Sequence, residues 1–189
     1  ALNTAKVISV LANDSATAPA TLNPASLLIT SGPANGIAQA NANGTVTYTP
    51  TTGFAGTNSF SYTVKDSLGT ASNPAPVTVH VPQARNDSYS VTANTSTSQT
   101  VSVAASAGVA ANDVPNISGR TFTRLSNPIR TSGTGTGTLT ITSFNTGTGA
   151  FSYRLSGTQA NKRGTFQFSY RMSLGGVNTA AATVTITVR

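Results

Sequence analysis

The sequence predicts an all-β protein made of two tandem β-sandwiches. Three observations lead there. Apolar and hydroxyl residues alternate with period two along much of the chain, the pattern of strands with one buried face. Turn-forming residues separate these runs at short intervals, as in a sandwich of many short strands. The order of the runs then repeats once. No window places apolar residues at i, i+3, i+4 and i+7 over three turns, so helices are not expected.

Taken in order, Val7–Leu11 reads as an early strand, with the Asn13-Asp14 pair in the loop behind it. Thr45–Thr49, Phe60–Val64 and Val77–Val81 each alternate strictly, with β-branched or aromatic residues on the apolar face. Asn35-Gly36, Asn43-Gly44, Gly53 and Ser67-Leu68-Gly69 supply the turns between them. In the second half Phe151–Leu155, Phe168–Tyr170 and Val184–Val188 read the same way. Gly133–Gly137 alternates Gly with Thr and reads as a flexible approach to a hairpin. It lacks the Lys-Ser/Thr ending and the following helix of a phosphate loop.

The two halves align. Val10–Asp14 matches Val109–Asp113, Gly44–Tyr48 matches Gly149–Tyr153, Gly56–Tyr62 matches Gly164–Tyr170, and Val77–Val81 matches Val184–Val188. The separations run from 99 to 108 residues, so loops differ while strand order persists, which is a tandem duplication. The boundary is placed at Pro82-Gln83, because Pro82 removes a ladder donor, giving repeats at 1–82 and 83–189. In repeat two 30 residues (Ala84–Asp113) lead up to the Asn-Asp landmark; in repeat one only 14 do (Ala1–Asp14). Repeat one is therefore expected to lack most or all of a first strand, and to belong to a longer parent. An open edge of that kind invites strand addition.

The strings Val10-Leu11-Ala12-Asn13-Asp14, Ser31-Gly32-Pro33-Ala34-Asn35-Gly36, Asn43–Pro50 and Gly53–Asp66 resemble bacterial immunoglobulin-like, cadherin-like tandem repeats. Residues 1–81 carry the pattern almost throughout. Residues 84–189 carry it in Asn86-Asp87-Ser88-Tyr89, Asn112-Asp113 and Phe168–Tyr170, while Arg120–Gly137 departs from it. The resemblance implies immunoglobulin-like sandwiches in a secreted or cell-surface protein, an adhesin or an appendage of an extracellular enzyme. Relatives often bind calcium through an acidic, Gly-containing loop behind the Asn-Asp pair. Here Ser15–Pro19 and Val114–Gly119 stand in that place without carboxylates.

Composition removes most chemistry. There is no Cys, no Trp and no Glu; the acids are Asp14, Asp66, Asp87 and Asp113, and His80 is the single His. Thiol nucleophiles, disulfides and Cys-based zinc sites are excluded, and any Ser-His-Asp triad would have to pass through His80. His80 falls on the outward face of its strand among Thr neighbours, so no enzyme is expected. Charged residues make up 8% of the chain, whereas 33 Thr and 22 Ser supply hydroxyls. Together with the absence of Cys, this points to an extracellular or cell-surface location. No apolar run approaches the ~20 residues of a membrane span.

Two groups of polar residues remain as candidate sites. The loop behind Val7–Leu11 and the Asp66–Gly69 hairpin share a pole in such a sandwich, so Asp14 and Asp66 can meet. Asp87 and Asp113 share the corresponding pole of repeat two. Two carboxylates with Asn13 or Asn112 and backbone carbonyls make a weak calcium site, the one cofactor considered. Alternatively, the Asn-Asp pairs brace their loops through side-chain to backbone hydrogen bonds.

The second group is basic. The whole net charge of +7 lies in 84–189, where nine basic residues face two acids. Arg120, Arg124, Arg130, Arg154, Lys162, Arg163 and Arg171 are candidates for a surface that meets an acidic polysaccharide or cell-surface glycan. Arg154 and Arg171 replace Thr49 and Thr63 of repeat one at outward positions. Solubility, or contact with other domains of the parent chain, explains the same charges. Nucleic acid fits less well, because no outward aromatics interleave them. The reading is a non-catalytic spacer, adhesive stalk or docking tail, with a carbohydrate- or anionic-surface-binding module and accessory domains of a secreted enzyme as alternatives.

Overall fold

The computed structural model describes residues 2–189, which divide into two units, residues 2–81 and Pro82–Arg189. Unit 1 contains β1 (Lys6–Ile8), β2 (Leu22–Ser31), β3 (Gly36–Ala40), β4 (Val46–Pro50), β5 (Gly56–Asp66) and β6 (Ala75–Val81). They form two three-stranded sheets, β1-β4-β3 and β2-β5-β6. Unit 2 contains β7 (Asp87–Val91), β8 (Ser98–Val103), β9 (Arg120–Arg124), β10 (Ile129–Ser132), β11 (Thr138–Phe144), β12 (Phe151–Ser156), β13 (Gly164–Leu174), β14 (Val177–Asn178) and β15 (Ala182–Val188), with one helical turn, α1 (Gln159–Lys162). Its sheets are β11-β12-β8 and β10-β13-β15-β7, with β9 and β14 also paired to β13. Both units are immunoglobulin-like β-sandwiches.

Alternation builds both cores. β5 buries Asn58, Phe60, Tyr62 and Val64 and turns Thr57, Ser59, Ser61 and Thr63 away. β13 does the same with Phe166, Phe168, Tyr170 and Met172. Each large side chain so buried contributes about 1.5–3 kcal/mol. The core of unit 1 gathers Val10, Leu27, Val46, Tyr48, Phe60, Tyr62, Val64, Val79 and Val81. The core of unit 2 centres on Phe151, Tyr153, Phe166, Phe168 and Tyr170.

Three features depart from the sequence expectations. The early strand is only Lys6–Ile8; Val10–Asn13 is a 3-10 turn instead. That turn points Val10 into the core and leaves its carbonyl free to accept from Tyr62. The irregular stretch after Arg120 contains two strands, β9 and β10, which pair with opposite ends of the long β13. Thr158 caps α1 by accepting from the Asn161 N–H, a single turn too short for any helical period to show.

The edges of the units differ. In unit 2, β7 lies parallel to β15, with Asp87 opposite Val184 and Val91 opposite Val188. In unit 1, β6 pairs with β5 and ends its sheet, and residues 2–14 contribute the single short strand β1, paired with β4.

Candidate functional site

A tyrosine from the long central strand organises one pole of each unit. The Tyr62 hydroxyl reaches the Val10 carbonyl at 3.0 Å and Asp14 Oδ2 at 2.7 Å. The Tyr170 hydroxyl reaches the Val109 carbonyl at 3.0 Å, Asp113 Oδ1 at 2.9 Å and the Arg85 carbonyl at 2.8 Å. The same latch thus occurs twice, on residues that the internal alignment pairs. Its signal in the sequence is the shared Tyr ending Gly56–Tyr62 and Gly164–Tyr170; the hydroxyl's role was not read from it.

The structure brings each pair of acids to one pole, with different outcomes. Asp14 and Asp66 line a cleft of about 470 Å³ with Asn13, Ser72 and Asn73. Asp66 Oδ1 accepts the Leu68 and Thr70 N–H groups at 2.9 and 2.8 Å, which braces the β5–β6 hairpin. Asp14 is half-buried and held by Tyr62. In unit 1 the acids therefore serve their own loops.

In unit 2, Asp87 and Asp113 are 8% and 1% exposed. Asp113 Oδ1 accepts the Arg85 N–H at 2.7 Å as well as Tyr170. Asp87 Oδ2, Asp113 Oδ2 and Asn112 Oδ1 are buried without a partner. Burial pushes the Asp87 carboxyl up to about 7, against a lowering hydrogen bond from Tyr170; the neighbouring Asp113 charge raises it further. Burial raises Asp113 too, opposed by the Arg85 N–H, Tyr170 and the Arg120 and Arg85 charges. Among the described residues no group of three or more His, Cys, Asp or Glu side chains converges. The available donors are oxygens only, which suits a hard cation and not zinc bound through nitrogen or sulfur.

A tyrosine hydroxyl carries one proton, so Tyr170 satisfies its acceptors only in turn, and removing it leaves buried oxygens short at a cost of about 1–3 kcal/mol. Tyr170→Phe is expected to lower the stability of unit 2 by about 2–3 kcal/mol. Tyr62→Phe should cost unit 1 about 1–2 kcal/mol, because half-buried Asp14 can turn to water. Denaturant melts of both variants provide the comparison; equal losses would contradict the difference drawn between the two latches.

The basic candidates separate into structural and displayed groups. Lys162 is fully buried and donates from Nζ to the Asn94 carbonyl (3.2 Å), Asn94 Oδ1 (2.9 Å) and the Ser96 carbonyl. Arg120 donates to the Ile117, Ala110 and Asp113 carbonyls and to Asn116 Oδ1. Arg130 stacks on Phe166 with its guanidinium carbon 4.4 Å from the ring centroid. It also donates to the Arg163, Gly137 and Asn161 carbonyls. All three close loops; Lys162 is buried away from any surface, which corrects that expectation for it, while Arg120 and Arg130 are half-buried. Arg124 is half-buried and donates to Asn127 Oδ1 at 2.6 Å.

Arg154, Arg163 and Arg171 remain. Arg154 is exposed at the centre of the β11-β12-β8 face, between Thr140 and Thr100. Thr138, Ser156 and Ser98 form the neighbouring row on one side, and Ser152 and Ser102 lie on the other. Arg171, half-buried, lies opposite Thr123 on the other sheet, whose outward positions include Thr165, Gln167, Ser169, Thr183, Thr185 and Thr187. Arg163 is exposed behind α1. His80 is exposed, and its Nδ1 lies 3.0 Å from Thr57 Oγ1. Among the described residues no helix is long and apolar enough to cross a membrane.

Residues 2–80 match the family model described as Bacterial Ig domain. No curated protein matches. Among solved structures, the chain is similar to an endo-fucoidan hydrolase of glycoside hydrolase family 107, at 20% identity over 86% of this chain and 23% of that one, with a TM-score of 0.31. It is similar to the protocadherin gammaB7 EC3-6 cis-dimer structure at 11% identity, over 99% of this chain and 50% of that one, with a TM-score of 0.30. It is also similar to Yersinia pseudotuberculosis InvD at 18% identity, over 98% of this chain and 53% of that one, with a TM-score of 0.19. The chain spans less than two thirds of the length of each.

Proposed function

We propose that the two units, the first of which matches the Bacterial Ig domain model over residues 2–80, form a non-catalytic spacer or docking module of a larger exported protein. In this reading unit 2 supplies the contact with an anionic partner, an acidic polysaccharide by its chemistry. One observation carries this: the converging polar side chains hold loops together, while the outward strand faces of unit 2 offer hydroxyls around Arg154 and Arg171 with no carboxylate among them.

A guanidinium surrounded by hydroxyl groups attracts sulfate or carboxylate without a competing acid, and exposed charges act over a Debye length of ~8 Å at physiological ionic strength. Binding should therefore weaken steeply with salt. The full chain is expected to be retained on heparin at low salt and released below about 0.3 M, as screening lengths shorten. Arg154→Ala combined with Arg171→Ala should abolish retention, whereas Lys6→Ala combined with Lys65→Ala in unit 1 should leave it intact. No retention of the wild-type chain, or retention unchanged in the Arg154/Arg171 variant, would leave a spacer without this contact.

A further inference from the structure

We infer that Asn35 is a site of spontaneous covalent modification, converted with water to isoaspartate through attack by the Gly36 backbone nitrogen. Asn-Gly occurs twice in the chain, at Asn35-Gly36 and Asn43-Gly44, and a glycine without a Cβ leaves its nitrogen open to the preceding side chain. The local sequence is the same, so tertiary structure separates the two. At Asn43 the reacting groups are tied down. The Gly44 N–H donates to the Asn41 carbonyl at 3.0 Å. Asn43 Oδ1 accepts the Thr45 N–H at 3.2 Å and the Thr45 hydroxyl at 2.7 Å. Gly44 itself is buried beside Leu11 and Pro24.

At Asn35 the same groups are free. β3 is an edge strand. Gly36 lies opposite Pro50, and the Asn35 carbonyl accepts the Thr51 N–H at 3.5 Å. The alternation of an antiparallel ladder therefore turns the Gly36 N–H away from β4, toward the open edge. The Asn35 side chain is exposed. What the fold uses of this residue is its backbone carbonyl, which accepts the Tyr48 hydroxyl at 2.7 Å and Asn58 Nδ2 at 3.0 Å. Gly36 in turn is irreplaceable: its φ is +140°, and a Cβ there would overlap the Thr49 carbonyl and stand 3.0 Å from Pro50 Cα. Sterics thus hold the reactive pair in place.

Water is the only co-reactant. The Gly36 nitrogen loses its proton and bonds to Asn35 Cγ, the Cγ–Nδ2 bond breaks, and Nδ2 leaves as ammonia. Water then opens the cyclic imide. Opening at the former backbone carbonyl routes the chain through Cγ, which inserts an extra carbon ahead of β3 and turns the Asn35 carbonyl into a free carboxylate. That carbonyl is the acceptor for Tyr48 and Asn58, which are 1% and 7% exposed. The product therefore places a negative charge and a displaced chain where two buried donors were satisfied, and unit 1 loses stability.

Ageing the full chain at mildly alkaline pH, followed by peptide mass mapping, reads the gain of about 1 Da at each site. Asn35 is expected to convert about tenfold faster than Asn43 or more, because hydrogen bonds must open first at Asn43. In the urea-unfolded chain the two should convert at similar rates. An isoaspartyl methyltransferase should label the aged chain at Asn35. Asn35→Gln, whose longer side chain would have to close a larger ring, should remove that label, and Asn43→Gln should leave it. The unit 1 transition of the aged chain is expected about 4–8 °C lower, while Asn35→Asp, with its ordinary backbone, should melt like the wild type. Equal rates at the two sites in the folded chain, or conversion of Asn35 only after unfolding, would overturn the site. An aged, labelled chain that melts with the fresh one would overturn the consequence for Tyr48 and Asn58.

Discussion

Phe151→Ala is expected to destabilise unit 2 by about 3–5 kcal/mol, the range for removing a buried aromatic ring. Phe151 is 2% exposed and sits among three other rings. It meets Tyr89 and Phe168 edge-on, with centroids 5.3 and 5.6 Å apart, and stacks on Tyr153 at 6.1 Å. Such pairs add about 0.5–1.5 kcal/mol each beyond buried area, so truncation loses contacts as well as apolar surface. In the internal alignment the counterpart is Val46, fully buried in unit 1. Val46→Ala removes two methyl groups and should cost about 2 kcal/mol. Amide exchange at Ile186 for unit 2 and at Phe60 for unit 1 resolves which unit loses protection. A loss for Phe151→Ala under about 1.5 kcal/mol would mean that the aromatic cluster repacks around the gap.

The parts of the fold that the sequence made legible are those where local pattern and tertiary environment agree. β4, β6 and β15 emerge within two residues of the alternating runs at Thr45–Thr49, Val77–Val81 and Val184–Val188. Their burial alternates, so period two was the whole signal. Val7–Leu11 misled because its apolar residues serve two purposes: β1 pairs through Lys6–Ile8, and Val10 enters the core from a turn. β9 and β10 stayed hidden because both depend on β13, more than 30 residues downstream, for their hydrogen bonds.

The candidate sites follow the same logic. That Asp87 and Asp113 would share a pole followed from strand order alone. That their outer oxygens would be left unpartnered did not, since it depends on where Arg120 and Tyr170 point. The basic residues show the limit most clearly. Arg154 faces outward by alternation, as read. Lys162 and Arg130 were counted as surface charge, yet both donate to carbonyls supplied by distant loops, including Asn94 for Lys162 and Gly137 and Asn161 for Arg130. Only three-dimensional convergence of backbone oxygens decides whether a long cation faces water or protein.

Gly164→Ala is expected to cost unit 2 about 3–4 kcal/mol, and Gly56→Ala to cost unit 1 about 1–2 kcal/mol. The two glycines open β13 and β5, the long central strands, with φ of +139° and +141°. An L-residue seldom adopts this backbone, so both substitutions pay for conformation. Space separates them. At Gly56 an added Cβ meets only the Phe54 ring, at 3.7 Å. At Gly164 it overlaps the Ser132 carbonyl and the Arg130 guanidinium. The carbonyl belongs to β10, paired with β13, so it moves only if the ladder opens. Displacing Arg130 would also strip it from Phe166 and from the Gly137 and Asn161 carbonyls at 2.7 and 2.8 Å. Thermal and denaturant melts of the two variants, read by exchange within each unit, distinguish backbone strain from overlap. Equal losses would show that the φ angle alone governs both positions and that the β10 edge yields without cost.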